Sequence, residues 1–507
     1  MISAMSIRPL PLTRRDALRL LGTSAAAGIL PIRLTSQAAP DVELTLRAAP
    51  GAVPIFPGAE TQVWRYTGTL QKGPNGTLSS DVGSYLGPTL RLRRGQKVRI
   101  TFVNDLPEAS IIHWHGLDVP ESADGHPHLA IEPGQRYVYE FEVINRAGTY
   151  WYHPHPHGRT GAQVARGLAG LLIVEDDEET RLQLPAGDRE LCCVLQDRRV
   201  DGTNQFSYLG PGMMDRMHGF LGDRFLVNGR PAPTLDVPSQ AHRVRLLNGS
   251  SSRVYKLAWS DGTPLTVIGS DGGLLERSRA QRHLTLAPAQ RADLIIDLSG
   301  RSPGSTVHLQ ATAFPQSDVD PTMGMMGGAA GADTVLLTLK INRSVASSFR
   351  LPDRLSTFDA AWAPVTSAPV RDLPITFRQA QWFLDGRTFD MHDTTPAETV
   401  VAGSTHVWNV MNVGGMMGTP MAHPFHMHGR QFRILSRAPL TGATPGSAAV
   451  REGLLDDGWH DTVLVLPNEQ VRLQVRFSEY PGLFLYHCHL LEHEDMGMMR
   501  NFRIVPR

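Results

Sequence analysis

A strand read through Tyr486-His487-Cys488-His489, running on into Leu490-Leu491-Glu492-His493-Glu494-Asp495-Met496-Gly497-Met498, presents metal ligands on two faces at once. Successive side chains of an extended strand point to opposite sides, so Cys488 projects one way while His487 and His489 project the other. One strand of this kind can serve two metal centres. Cys488, His493 and Met498 follow one another at intervals of five residues. They bring a thiolate, an imidazole and a weak thioether, three of the four donors of a blue-copper site.

The remaining imidazole is offered by His423-Pro424-Phe425-His426-Met427-His428. By strand parity His426 and His428 share a face and His423 takes the other, so this segment also divides its rings between two centres. Upstream stand His113-Trp114-His115-Gly116 and His153-Pro154-His155, each able to aim both rings the same way. With 20 histidines in 507 residues, chance alone gives roughly one His-x-His, so a lone pair carries no weight. Four pairs, one of them bracketing a cysteine that is followed by His and Met, do carry weight.

The surroundings of these segments read as strands. Leu90-Arg91-Leu92 and Val98-Arg99-Ile100-Thr101-Phe102 alternate ahead of the first His pair, and Tyr137 to Val143 alternates ahead of the second. His406-Val407-Trp408-Asn409-Val410 and Val471-Arg472-Leu473-Gln474-Val475 do the same ahead of the third and fourth. Short alternating runs with abundant Gly and Pro predict an all-β chain of sandwiches, and the outer two look like copies of one cupredoxin-type unit. A middle unit has similar strands, as in Arg243-Val244-Arg245-Leu246-Leu247, but no His pair. It reads as a spacer that orients the other two. The expected division is a leader at 1–39 and three Greek-key sandwiches at 40–180, 181–345 and 346–507, since roughly 470 residues are too many for one core.

Thr13-Arg14-Arg15-Asp16-Ala17-Leu18, the mildly apolar run from Leu20 to Leu30 and Ser36-Gln37-Ala38-Ala39 read as a twin-arginine export signal, which implies a periplasmic protein. Ala17 departs from that pattern, which usually has a bulky apolar residue there. No stretch approaches the ~20 apolar residues of a membrane span. The 49 basic and 49 acidic residues balance, so nothing points to nucleic acid or an anionic membrane as partner. Three cysteines rule out a disulfide framework. Cys192 and Cys193, adjacent in a strand-like run, read as small packing residues, leaving Cys488 alone with a chemical context.

In order and spacing the four His segments resemble the copper-binding motifs of the multicopper oxidases, over nearly the whole chain after the leader; bacterial periplasmic cuprous oxidases and bacterial laccases are the nearest likeness. The resemblance implies four coppers per chain. His423, Cys488, His493 and Met498 would hold one type 1 copper; His113 and His426 the type 2 copper; His115, His153, His155, His428, His487 and His489 the two type 3 coppers. It implies O2 as electron acceptor and a monomer. Asp124, eleven residues after His113, and Glu494, beside His493, stand where proton-handling carboxylates are expected; the alternative is an acid in a surface turn and one in a solvated loop. His126, His128, His157 and His460 are read as non-ligands.

The electron donor is expected to be Cu(I) or a phenol. Fifteen of the seventeen methionines follow residue 200, and Met213-Met214 with Met217-His218, Met323-Gly324-Met325-Met326, and Met416-Met417 with Met421 lie beside glycines. Exposed thioethers are soft ligands suited to Cu(I), which points to a cuprous oxidase serving copper tolerance. Against that, the stretch between Leu351 and Val400 is short and Met-poor where cuprous oxidases resembling this chain carry a long Met- and His-rich segment, and Thr419 stands where they offer a carboxylate. The competing readings are a laccase-like phenol oxidase and a periplasmic copper-sequestering protein without turnover. A two-domain copper nitrite reductase lacks the eight cluster imidazoles, and a non-catalytic scaffold like the cell-division relative of these enzymes would have lost ligands that are all present here.

Overall fold

In Val42–Val53, Val42, Leu44, Leu46 and Ala48 are wholly buried while their neighbours are not, the period-two pattern of a strand with one face on a core. The same alternation recurs along the chain in a computed structural model, which describes residues 39–80, 83–322, 332–358, 367–414, 420–442 and 446–507. The twin-arginine pattern, Met323, Met325, Met326, Met416, Met417 and Thr419 lie outside the described residues.

The fold is all-β: three cupredoxin-like sandwiches. In the first, a four-stranded sheet ordered Thr61–Lys72, Val42–Val53, Lys97–Asn104, Arg136–Glu142 faces a five-stranded sheet that ends Gly170–Glu175, Gly148–Pro154, Ile112–His115. Between them pack Leu44, Phe102, Trp114, Tyr139 and Tyr152. The third sandwich repeats the plan. Its strand Val370–Arg378 runs parallel to Thr405–Gly414 as Val42–Val53 runs parallel to Lys97–Asn104, and its second sheet contains Met499–Val505, Gly482–Cys488 and His423–Met427 in that order. The internal repeat therefore extends to strand pairing. His113 lies opposite His153 across one antiparallel pair, and His426 lies opposite His487 across its counterpart.

The middle sandwich packs Leu246, Leu257, Trp259, Leu294 and Leu309. It meets the first sandwich through a buried polar cluster in which Arg245 donates to Thr149 Oγ1 (3.0 Å) and Asp293 Oδ2 (2.9 Å), and Arg243 donates to Glu179 Oε1 (2.8 Å). Such a cluster adds little net stability when complete, but losing one partner costs about 3–5 kcal/mol because a charge is left buried. No helix among the described residues is long and apolar enough to cross a membrane.

Candidate metal centre

Strand Gly482–Cys488 ends at the cysteine, and the chain turns into the short helix Leu491–Asp495 that carries His493. The loop then folds back, because the Cys488 N–H donates to the Met498 carbonyl (3.1 Å) and the Met498 N–H to the His493 carbonyl (2.9 Å). Cys488 Sγ lies 3.5 Å from His423 Nδ1 and 3.8 Å from His493 Nδ1, and Met498 is wholly buried beside them. Three of the four residues read as one centre, His423, Cys488 and His493, bring their donor atoms together, and Met498 is tied to two of them through its backbone. Burial pushes the Cys488 thiol up and the two imidazoles down, His493 to about 4, so without a cation the site holds a neutral thiol and neutral rings.

This centre is covered. Both imidazoles are fully buried: the Trp382 ring lies 4.3 Å from that of His423, and His493 Nε2 donates to the Met217 carbonyl (3.0 Å) at the end of the helix Met214–His218. The Met217 carbonyl comes from the middle sandwich. Met213 and Met214 are exposed at 47% and 45%. Met421, read from the sequence as part of an exposed cluster, is instead 5% exposed in the core of the third sandwich. The reason is that the chain at Ala422 is tied to the Val319 carbonyl (2.6 Å) as it enters strand His423–Met427.

On the opposite side of the strand the other eight imidazoles form one cluster, every ring 0–1% exposed. Four come from the first sandwich and four from the third. His113 stacks on His428 at 3.7 Å and His115 on His426 at 3.8 Å. Ring nitrogens converge: His153 Nε2 is 3.4 Å from His115 Nδ1, His155 Nε2 is 3.4 Å from His487 Nε2, and His428 Nε2 is 3.2 Å from His487 Nε2. His113 Nε2, His426 Nε2 and both nitrogens of His489 are buried without a hydrogen-bond partner. Burial, with mutual repulsion among most of the rings, lowers all eight imidazoles, His153 to about 3 and His487 to about 4. A buried nitrogen with no partner is costly, and neutral imidazoles converging on shared points satisfy it by binding cations. The donors, imidazoles here and a thiolate with imidazoles there, fit copper.

Asp124 and Glu494 are buried, which removes the reading of either as a solvated acid. Asp124 ends the helix Glu121–Asp124; Gly125 follows at φ 84°, where a Cβ would run into the Ile112 carbonyl, so only glycine lets this turn close on the His113 strand. The Asp124 carbonyl accepts from His113 Nδ1 (2.6 Å) and its Oδ2 accepts from His428 Nδ1 (2.7 Å). Glu494 oxygens stand 3.5 Å from His155 Nε2 and 3.3 Å from His487 Nδ1. Burial, reinforced by neighbouring carboxylates, pushes both acids well up.

Sequence reasoning passed over Asp461. Its carbonyl accepts from His426 Nδ1 (2.7 Å) and its Oδ1 from His115 Nε2 (3.0 Å). It was invisible because it stands 35 residues from His426 on a separate strand approach, with no fixed spacing to reveal it. The histidines set aside stay outside the cluster. His126 Nε2 donates to Asn501 Oδ1 (2.8 Å), His157 packs on Phe389, and His460 sits 3.5 Å from Asp271. Cys192 and Cys193 are free thiols on one strand.

Two sequence profiles described as multicopper oxidase match this chain, one over residues 65–179 and the other over residues 364–507. The multicopper oxidase of Staphylococcus aureus is 32% identical over 87% of this chain and 88% of its own length. The cell division protein FtsP of Shigella dysenteriae is 30% identical over 98% of this chain and 99% of its own. Among solved structures, McoA multicopper oxidase from the hyperthermophile Aquifex aeolicus superposes with a TM-score of 0.76 at 32% identity, over 92% of this chain and 96% of that one.

Proposed function

The chain belongs to the multicopper oxidase family, and from that premise we propose that it couples one-electron oxidation of Cu(I) to four-electron reduction of O2 to water. The observation that carries the reading is Cys488, on one face of its strand with His423 and His493, flanked by His487 and His489 on the face of the eight-imidazole cluster. Copper held by these residues supplies the redox chemistry: one electron at a time at the thiolate centre, and four electrons with four protons converting O2 to two waters at the cluster.

The chain's own residues do the rest. His423, Cys488, His493 and Met498 hold the type 1 copper; His113 and His426, whose inward nitrogens lack any protein partner, hold the type 2 copper; the other six imidazoles hold the type 3 pair. That makes four coppers per chain. Two peptide units join Cys488 to His487 and His489, so the covalent route between the centres is as short as a strand allows. Asp124 and Glu494, whose burial favours the protonated carboxyl, place Oδ and Oε atoms next to the cluster rings, where they can take up and release protons. The donor reading rests on Met213 and Met214, exposed at the start of the helix that covers His493, together with the cover that Trp382 lays over His423 among the described residues. The twin-arginine pattern supports a periplasmic location, and a monomer acting there in copper tolerance is part of the same proposal.

Two other readings stand beside this one. A phenol-oxidising, laccase-like enzyme needs the cover to open. A non-enzymatic role, copper sequestration or the cell-division role in the name of the FtsP relative, does not require the complete ligand set that this chain keeps. Oxygen uptake by the copper-loaded protein, offered Cu(I) and separately a phenol, decides: uptake with Cu(I) supports the proposal, uptake with phenol alone moves the donor to the laccase reading, and copper binding with no uptake overturns the oxidase.

A further inference from the structure

The cluster has an approximate two-fold arrangement that follows the internal repeat. Asp124 holds His113 by its carbonyl and His428 by its carboxylate; Asp461 holds His426 by its carbonyl and His115 by its carboxylate. Each aspartate thus grips one ring of its own sandwich and one of the opposite sandwich. The two differ in what stands behind them. Asp124 keeps Oδ1 without a hydrogen-bond partner, whereas both Asp461 oxygens are forked by Arg291, Nη1 to Oδ1 at 2.7 Å and Nη2 to Oδ2 at 2.5 Å.

Arg291 opens the strand Arg291–Asp297 of the middle sandwich and is 1% exposed. Its remaining N–H groups are all engaged: Nε donates to the Thr149 carbonyl (2.9 Å) of the first sandwich, Nη1 to Ala289 (3.0 Å) and Nη2 to Asp271 (3.0 Å) of its own. One planar side chain therefore ties three sandwiches together at the edge of the cluster, a geometry that a lysine ammonium cannot reproduce. The backbone makes room for it. Gly116, next to His115, has φ 89°, and a Cβ there would come within 2.6 Å of Asp461 Oδ2 and 2.8 Å of Arg291 Nη2. Thr462 Oγ1 completes the brace at 3.3 Å from His115 Nε2 and 3.2 Å from His426 Nδ1. Asp461 lies near enough to His115 and His426 to be taken for a metal ligand, but it meets the ring nitrogens that point away from the cluster.

We infer that Arg291, from the sandwich without a His pair, is a positioning residue for the imidazole cluster, fixing the rings of His115 and His426 through Asp461. The inference rests on the proposed cluster and makes the middle sandwich part of the metal site rather than a spacer. Its test uses the copper-loaded protein and the variants Arg291→Lys, Arg291→Gln and Asp461→Asn, with Arg245→Gln as a control for losing an equally buried arginine of the same sandwich. The readouts are the type 2 EPR spectrum and the copper retained after dialysis against a mild chelator. Arg291→Lys and Asp461→Asn should keep the blue absorption, shift the type 2 hyperfine splitting and weaken retention of about one copper per chain by about ten- to a hundredfold, while Arg245→Gln behaves as the parent. If Arg291→Gln does not fold, the other two variants decide. Parental splitting and retention in both, or an equal change in Arg245→Gln, overturns the inference and leaves Arg291 a plain interdomain tie. A parent with no type 2 signal overturns the proposed function itself, and this inference with it.

Discussion

Cys488 does two jobs through one side chain and its two peptide bonds. As a buried neutral thiol it is out of its ordinary balance, and only a cation makes the thiolate affordable there. Cys488→Ser should therefore abolish the blue absorption and the type 1 copper. The apo-protein should lose no more than about 1–3 kcal/mol for one poorly satisfied hydroxyl, measured as a change in denaturation midpoint. A blue serine variant would remove the type 1 assignment. Asp124 carries a second test. Asp124→Asn keeps the shape and the contact with His428 Nδ1, though not the ionisable oxygen. Stopped-flow reduction of the blue band should be unchanged while oxygen turnover falls about a hundredfold or more; equal turnover would return Asp124 to a role in holding rings only.

Among elements, the helix Met214–His218 and the strand Gln381–Leu384 decide what reaches the type 1 side, since Met217 and Trp382 lie directly on its imidazoles. Neither belongs to a His segment. Replacing Met213 and Met214 together by Leu preserves volume and so costs less than about 1.5 kcal/mol, while removing two exposed soft ligands. The expected result is a several-fold lower kcat/KM for Cu(I) with phenol oxidation spared. If both activities are untouched, these methionines are surface filler and the case for Cu(I) as donor loses its support among the described residues. The strands Ile112–His115 and His423–Met427 act as a pair across the interface. His115→Ala, at the end of the first, and His428→Ala, just past the end of the second, should leave the blue centre reducible and stop oxygen reduction, and full turnover in either would exclude a cluster shared between sandwiches.

For the whole molecule, the cost of the site shows in its pH dependence. In the metal-free protein the buried imidazoles have folded pKa values below the ordinary one, His153 at about 3, His487 and His493 at about 4. A depressed imidazole takes up its proton more readily unfolded than folded, so stability is full above about pH 6.5 and is lost as pH falls toward the folded values, at about 1.4 kcal/mol per pH unit for each such ring. Thermal melts of the apo-protein should drop steeply below about pH 6.5, with several protons bound on unfolding. A flat profile would mean that the rings are solvated. Copper should raise the melting temperature by binding the folded form alone.

Strand parity alone decided, from sequence, which ligands share a face: Cys488 with His423 on one side, His487, His489 and the His-x-His pairs on the other. That is a local property of extended backbone, which is why it was legible, as were the sandwiches and their repeat, whose alternating runs need no partner to be read. The approach of Arg291 and Asp461 to the cluster, the Met217 and Trp382 cover, and the burial of Met421 were settled only by tertiary structure. In each of these the decisive contact joins segments far apart in the chain, at separations such as the 170 residues between Arg291 and Asp461. A hydrogen bond of that kind depends on how three sandwiches stack, and no periodicity or spacing within one strand records it.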